Sequence, residues 1–475
     1  MRQIRLHDTM SGELVPLHPR EGGRVRIYVC GPTVYGRIHI GNARPFVVFM
    51  VLKRFLAHLG YEVTLVINIT DINDKIYDAA REKGLSSVDL AAQMKSCYLA
   101  DTDALGLGRP DAEPLASESM QAIVSYIRTL METGHAYSAG GDVFFSVRSD
   151  PRYGVLSHRS VEEMDQGEGI HGAERKRDPL DFALWKAGKE AEDTSWEPRE
   201  YLPEGACPEQ WAAGRPGWHI ECSAMAESLL GVGFEIHGGG SDLVFPHHEN
   251  EASQTRTARG EELAQIWMHN GMVRAAGEKM AKSVGNIASL REVLDLAGEP
   301  GAHAAHTVIM YLLRGHYRQP LAFSAAEVLD AERSVYRIRD ALRRVAAGQS
   351  SPAEMAHHRQ AFFDALAEDF NTPKALAALF AWVRQANSQA QPVGDADLRE
   401  MLSVLGMADM QPLQAAGSIE AIDPQAAELL REREKARRDR DFERADALRE
   451  QLIALGWQVR DGPDGAELIP TPTEG

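Results

Sequence analysis

Apolar residues follow two rhythms along the first part of the chain. Arg24–Cys30 (RVRIYVC) is dense in β-branched and aromatic residues and stops at Gly31-Pro32-Thr33, a turn signal, so it predicts a strand. From about Arg44 to Leu59 apolar positions recur at helical spacing, with Pro45 fitting the first turn and Gly60 the stop. Glu62–Ile69 (EVTLVINI) is almost continuously apolar, the pattern of a strand covered on both faces. Strand, turn, helix and strand over this distance predict a βαβ unit on a parallel sheet. Between about Met120 and Arg215 the rhythm breaks. A strand at Asp142–Val147 (DVFFSV) leads into polar sequence with Gly and Pro, which reads as an insertion between two halves of one domain. Gly217–Leu230, Phe234–Pro246, His247–Ala258 and Ile266–Val273 restore the alternation. From about Ala304 onward Leu, Ala, Arg and Glu fall at helical spacing nearly throughout, up to a short tail at Gly456–Gly475. The expected fold class is α/β: a parallel-sheet domain split by an insertion, followed by mostly helical C-terminal domains.

Length and charge narrow this picture. A chain of 475 residues suggests about three domains at roughly 150 residues each. Its net charge of −18 argues against a surface that binds nucleic acid or anionic membrane all over, and leaves room for a local basic groove. The longest charge-free apolar run, near Pro45–Leu52, is far short of the roughly 20 residues of a membrane span, so no membrane partner is expected. The opening residues lack the apolar core of a secretion signal. Cys30, Cys97, Cys207 and Cys222 are too scattered for a disulfide framework, which points to a reduced, cytoplasmic setting.

Three constellations carry candidate chemistry. His39-Ile40-Gly41-Asn42 lies between a predicted strand and helix, where free N–H groups and a positive dipole end suit phosphate. Gly41 permits close approach and His39 can donate to an anionic oxygen, although alone the tetrad also reads as an ordinary loop. Lys279-Met280-Ala281-Lys282-Ser283, between Gly277 and Gly285, offers two ammonium groups for charge growing on a reacting triphosphate; alone it also reads as a solvated surface loop. Cys30, Cys222, His247 and Glu251 could complete a tetrahedral zinc site, with the last two on one face of a helix at a spacing of four. Taken singly, these residues also read as a buried thiol or a surface pair.

The first two constellations, in this order around a split sheet, resemble the HIGH and KMSKS signatures of class I aminoacyl-tRNA synthetases. With the third, the chain is similar to the cysteinyl-tRNA synthetase family. That resemblance runs through YVCGPTVY around Cys30, NITDINDKI at Asn68–Ile76, GRPGWHIECSAM at Gly214–Met225, IHGGGSDLVFPHHENE at Ile236–Glu251 and KMAKS. It continues more weakly through FNTPKALAALF at Phe370–Phe380 and ARRDRDFERADALRE at Ala436–Glu450. Two positions depart from the signatures: Asn42 stands for the second His, where it can still donate to a phosphate oxygen, and Ala281 for the first Ser.

The resemblance implies ATP-dependent ligation of L-cysteine to tRNA(Cys) through cysteinyl-adenylate. Zn²⁺ on Cys30, Cys222, His247 and Glu251 would select the substrate sulfur, and Mg²⁺ would accompany ATP. A thiophilic metal separates cysteine from serine, near-isosteres that a pocket of the right shape resolves only about 10²-fold. His39, Asn42, Lys279 and Lys282 would act in catalysis. The same four with Gly41 and Asp242 would hold ATP, and Gly31, Thr70, Trp218 and His237 would line the cysteine pocket.

The implied layout is a Rossmann-like catalytic domain in two halves (1–122 and 214–273) around an inserted connective domain (123–213). A KMSKS-loop and stem-contact region (274–325), a helical bundle (326–410) and an anticodon-binding module (411–475) follow. In the last, the basic residues between Arg431 and Arg449, and Trp457 beyond them, are candidate RNA contacts; the interleaved acids equally suit a salt-bridged helix. A monomer is expected. The rival activity is a zinc-dependent cysteine ligase that passes activated cysteine to an amino-sugar; such relatives lack the extended C-terminal part. A non-catalytic cysteine or RNA sensor on the same fold is a second rival.

Overall fold

A computed structural model describes residues 2–164, 173–189, 192–205, 207–208, 210–275, 288–413, 424–439, 441–462 and 465–470. A hairpin of β1 (Arg5–His7) and β2 (Leu14–Pro16) precedes β3 (Arg24–Val29), α1 (Ile40–His58) and β4 (Glu62–Ile67), the βαβ unit expected from the apolar pattern. Helices α2 (Asp74–Lys83) and α3 (Ser87–Asp103) follow.

Helix α1 begins a full turn before the apolar periodicity does. His39 is its N-cap, its Nδ1 accepting from the Asn42 amide (3.2 Å) while Asn42 Oδ1 accepts from the His39 amide (3.3 Å). This reciprocal capping box fixes the first turn with residue types that hydrophobic spacing does not register. Pro45 therefore sits inside the helix rather than in its first turn, so the N–H that would bond the Gly41 carbonyl is missing. Strand β4 ends two residues short of the expected limit. Asn68–Thr70 turns away, with Thr70 bridging to Thr33 and Ile69 to Leu115.

The stretch that interrupts the parallel sheet holds α4 (Met120–Glu132) and an antiparallel sheet of β5 (Ala136–Ala139), β6 (Asp142–Phe145), β7 (Phe182–Ala187) and β8 (Gly214–Pro216), in that order, so its first and last elements reach past the bounds of 123–213 expected for an inserted domain. The chain then returns through α5 (Trp218–Leu230), β9 (Phe234–Gly240), α6 (Glu249–Arg259) and β10 (Ala264–Asn270). The central sheet is parallel throughout, in the order β10-β9-β3-β4. Strand β3 is the switch point: its helix connection leads to β4 on one side, and β9 from the second half lies on the other. Ligands of open parallel sheets bind at the carboxyl ends of the strands at such a point.

Beyond β11 (Val273–Ala275), α7 (Leu290–Leu296), α8 (Ala302–Leu313) and β12 (Leu321–Phe323), helices α9 (Ala325–Arg344), α10 (Ala356–Ala367), α11 (Thr372–Ser388) and α12 (Ala396–Val404) form a bundle. Its core is continuous with that of α1. Arg44, fully buried on α1, ties the two parts by donating to the carbonyls of Gly271 (2.6 Å), Gln319 (2.8 Å) and His316 (2.9 Å).

The C-terminal part holds α13 (Pro424–Arg438), α14 (Phe442–Ala454), and an antiparallel hairpin of β13 (Trp457–Gly462) and β14 (Gly465–Pro470). The stretch expected as a tail thus largely pairs with itself. Val459 and Leu468 bury against Ala426 and Leu452, with Trp457 packed alongside. Two separate helices, rather than one, carry the basic residues, and ion pairs such as Arg444–Glu432 (3.5 Å) link them.

Candidate active site

The strand ends and the start of α1 enclose a cleft of about 1030 Å³, lined by Cys30, Gly31, His39, Gly41, Asn42, Trp218, Asp242 and Asn270 among others. One wall is built on the capping box. Because His39 Nδ1 accepts from Asn42, the neutral ring carries its proton on Nε2, the nitrogen suited to donate to a bound anion. A Cβ on residue 41 would lie 2.9 Å from the His39 ring, so Gly41 makes room for that imidazole over the helix start. The segment after residue 287 closes on this wall: Ile40 N bonds Ala288 O (3.1 Å) and Leu290 N bonds Ile38 O (3.0 Å). Lys279 and Lys282 lie outside the described residues, between these contacts and β11, whose Val273 and Ala275 line the same cleft.

The other wall is a buried polar cluster. Cys30 follows β3, Cys222 lies in α5, His247 in the wide turn Val244–His248, and Glu251 in the first turn of α6. Their ligand atoms all lie within 4.8 Å of one another, and all four residues are buried. Cys30 Sγ is 3.4 Å from both His247 Nε2 and Glu251 Oε1, and His247 Nε2 is 3.1 Å from Glu251 Oε1. His247 thus precedes the helix instead of sharing it with Glu251, yet the spacing of four still brings the side chains together.

Tetrahedral zinc, with bonds of about 2.0–2.3 Å, requires ligand–ligand edges of about 3.3–3.8 Å, close to the 3.1–3.4 Å found among Cys30, His247 and Glu251. Burial, the other thiol and Glu251 push the Cys30 thiol well above its ordinary range, and burial raises Cys222 too. Burial would also lift Glu251, but the imidazoles of His237 and His247 hold its carboxyl below the usual value. Two thiols, a carboxylate and an imidazole packed out of water suit a divalent cation, which would favour the thiolates.

A ring of histidines supports the cluster. His219 Nδ1 lies 2.9 Å from His247 Nδ1, fixing the ring that offers Nε2 to the centre. His237 Nε2 lies 2.9 Å from Glu251 Oε2, stacked on Trp267. Behind them Thr9 Oγ1, His269 and His248 form a chain with 2.7 Å links, and burial among neighbouring imidazoles pushes His269 down to about 3 and His248 well below its ordinary value. Both rings are therefore neutral at working pH.

Of the four residues placed in the cysteine pocket by resemblance, Gly31 and Trp218 line the cleft, and Trp218 stacks on His247 with ring centroids 4.2 Å apart. Gly31 has a steric reason: an added Cβ would lie 1.8 Å from the Asn68 carbonyl. Thr70 and His237 are instead buried, the former accepting from Asn68 Nδ2 (3.2 Å), the latter behind Glu251. Asp242 is exposed in the turn after β9.

Residues 16–333 match the catalytic domain of the class I (C) tRNA synthetases, residues 361–410 a DALR domain, and residues 420–467 the cysteinyl-tRNA ligase anticodon binding domain. A cysteine–tRNA ligase of Halorhodospira halophila is 43% identical over 476 residues, covering 98% of this chain and 99% of the relative. One of Cupriavidus pinatubonensis is 41% identical at the same coverage. The chain belongs to the cysteine–tRNA ligase family.

More distant structures share the fold alone. LeuRS of Agrobacterium radiobacter, in a ternary complex with tRNA and LeuAMS, aligns with a TM-score of 0.58 at 13% identity, covering 83% of this chain and 84% of that one. Methionyl-tRNA synthetase of Mycobacterium tuberculosis, in complex with methionyl-adenylate, aligns with a TM-score of 0.56 at 15% identity, covering 82% and 88%. The sequence reading missed His219, His248 and His269 as partners of the cluster. The first two stand beside the motif residues Trp218 and His247, and only that adjacency marks them.

Proposed function

We infer that the chain ligates L-cysteine to tRNA(Cys) in two steps, adenylate formation and transfer. The observation that carries this reading is the convergence of Cys30, Cys222, His247 and Glu251 beside a cleft that also holds the His39–Asn42 helix start. Zinc held by those four residues would supply a thiophilic position for the substrate sulfur, which serine's harder hydroxyl cannot match. Trp218, stacked on His247, walls that position on the cleft side.

The cysteine carboxylate attacks the α-phosphorus of ATP, which arrives with Mg²⁺. A carboxyl–phosphorus bond forms, and the bond to the β-phosphate oxygen breaks to release pyrophosphate. His39 donates from Nε2 to phosphate oxygens at the positive end of α1, Gly41 keeps that ring in place, and Asn42 adds its side-chain amide. Asp242 receives ribose hydroxyls. Lys279 and Lys282, assigned by family resemblance, stabilise charge on the transition state. A ribose hydroxyl of the tRNA's terminal adenosine then attacks the carbonyl carbon and AMP leaves. No side chain serves as nucleophile; rate comes from positioning and electrostatics.

The amino-sugar reading is not favoured, because the match to cysteine–tRNA ligases runs over 98% of the chain and includes the anticodon-binding domain. A cytoplasmic setting is supported by the four free cysteines, which suit a reducing compartment, and the monomer rests on family resemblance. The deciding experiment charges unfractionated tRNA with labelled cysteine or serine, before and after zinc removal, with an amino-sugar acceptor in parallel. Cysteine should be charged to tRNA alone, with selectivity lost on chelation. Equal selectivity without metal, or transfer to the amino-sugar, would overturn the reading.

A further inference from the structure

A second chamber of about 270 Å³ branches from the cleft, with Thr33, Lys75 and Trp218 lining both. It lies between the start of α2, the inserted sheet and the first turn of α5. Four basic side chains, Lys75, Lys176, Lys186 and Arg215, face two acidic ones, Asp74 and Glu221, in a chain whose net charge is −18. Asp74 is engaged by Lys186 (2.7 Å) and Arg215, and Arg215 also donates to Glu192 (2.9 Å). Glu221 is different. It is 1% exposed, and neither oxygen of its carboxyl group has a hydrogen-bond partner, although a buried polar group left unsatisfied is costly to a fold.

We propose that this chamber receives one unpaired nucleotide of the tRNA acceptor end, with Glu221 accepting hydrogen bonds from the exocyclic amino group of a cytosine and the lysines neutralising the flanking phosphates. The inference rests on the tRNA-charging reading above. Three observations converge on it. The basic walls call for a polyanion. The orphaned acceptor pair calls for an amino donor on the same ligand, and carboxylates accept from cytosine's exocyclic amine. The shared opening places the occupant beside the point where the terminal ribose must meet the adenylate. The volume lies just below the range for a drug-sized ligand, which suits a single nucleotide rather than a duplex.

The test separates adenylate formation from transfer. Glu221→Ala should leave cysteine-dependent ATP–pyrophosphate exchange within about twofold, while transfer from preformed adenylate slows about tenfold or more; Glu221→Gln, which keeps one acceptor oxygen, should slow transfer less. Transcripts in which each of the two terminal cytidines is replaced in turn by uridine, which lacks the amine, should slow the parent similarly. One of these replacements should add nothing to the Glu221→Ala defect, the non-additivity of a shared contact. Lys176→Ala provides an independent arm: it should flatten the slope of log tRNA affinity against log salt by about 0.7 with exchange untouched. Additive effects for both cytidines, an unchanged salt slope, or a raised ATP KM in exchange would each overturn the proposal; the last would give the chamber to ATP. Failure of the parent protein to charge tRNA would instead remove the functional reading beneath it.

Discussion

On the sulfur side of the cleft, Cys30, Cys222, His247 and Glu251 come from three separate segments and are at most 8% exposed. On the phosphate side, His39, Gly41 and Asn42 come from a single turn, and Asn42 stands open to solvent. The first wall is set before substrate arrives: its polar groups are packed, buried and in contact with further buried histidines. The second is a helix end plus a segment that returns at Ala288 to pair with it. The contrast suits the two tasks proposed for the walls. Telling sulfur from oxygen needs a fixed site from which water is excluded. Stabilising charge that appears only in the transition state needs donors aimed at a position that fills and empties every turnover.

Damage to the two walls should therefore be separable. The largest effect is expected from Cys222→Ser, which removes a thiolate from the buried set. Discrimination of cysteine from serine should fall from the 10⁴–10⁵ order open to a matched polar site to about 10² or less. Parallel exchange assays with the two amino acids measure this. A variant that still rejects serine as strongly as its parent would reduce the cluster to a structural role.

His39→Ala probes the other wall. Losing one donor aimed at the reacting phosphate should lower the cysteine-dependent exchange rate by about 10²–10³-fold. Cysteine binding, measured by calorimetry or fluorescence, should change only a few-fold, because His39 caps α1 on the opposite wall of the cleft. A parallel collapse of cysteine affinity would mean that the walls are coupled through β3, whose end carries Cys30 and leads into the His39 loop.

His237→Ala tests whether the histidine ring orients the cluster. It removes the 2.9 Å contact to Glu251 Oε2 while leaving the four candidate ligands in place. Zinc affinity should weaken about 10–100-fold, the usual effect of losing a partner of a ligand, and saturating zinc should restore most of the charging rate. A loss that zinc cannot repair would assign His237 to the substrate itself, as the family resemblance had placed it.

The two walls also differ in how far they could be read from sequence. The phosphate side was legible because its parts are contiguous: a strand rich in β-branched residues, a turn, a capped helix. Even so, helical periodicity placed the helix start four residues late, since the His39–Asn42 box is invisible to hydrophobic spacing. The sulfur side was legible only through resemblance; nothing local in Cys30 announces partners some 190 or more positions away. His219, His248 and His269 could not be read because a histidine buried by tertiary packing looks, in one sequence, like a histidine at the surface. The C-terminal hairpin was missed because WQVRDG is half polar and its apolar face covers only a small core shared with Ala426 and Leu452.

The smallest effect discriminates most finely. Asn42 does two things that have to be told apart: its side chain closes the capping box, and its amide is proposed to meet phosphate. Asn42→Asp keeps the acceptor that bonds the His39 amide but replaces the donor with a negative charge; Asn42→Ala removes both. If capping dominates, the Ala variant should lose about 1 kcal/mol of stability and the Asp variant almost none, with both exchanging pyrophosphate within a few-fold of the parent. If the phosphate contact dominates, the order inverts: Asp, placed against a triphosphate, becomes the slower enzyme while remaining the more stable protein. Thermal unfolding and exchange kinetics on the same two variants decide which, because a pure cap cannot raise the KM for ATP in the variant that keeps it.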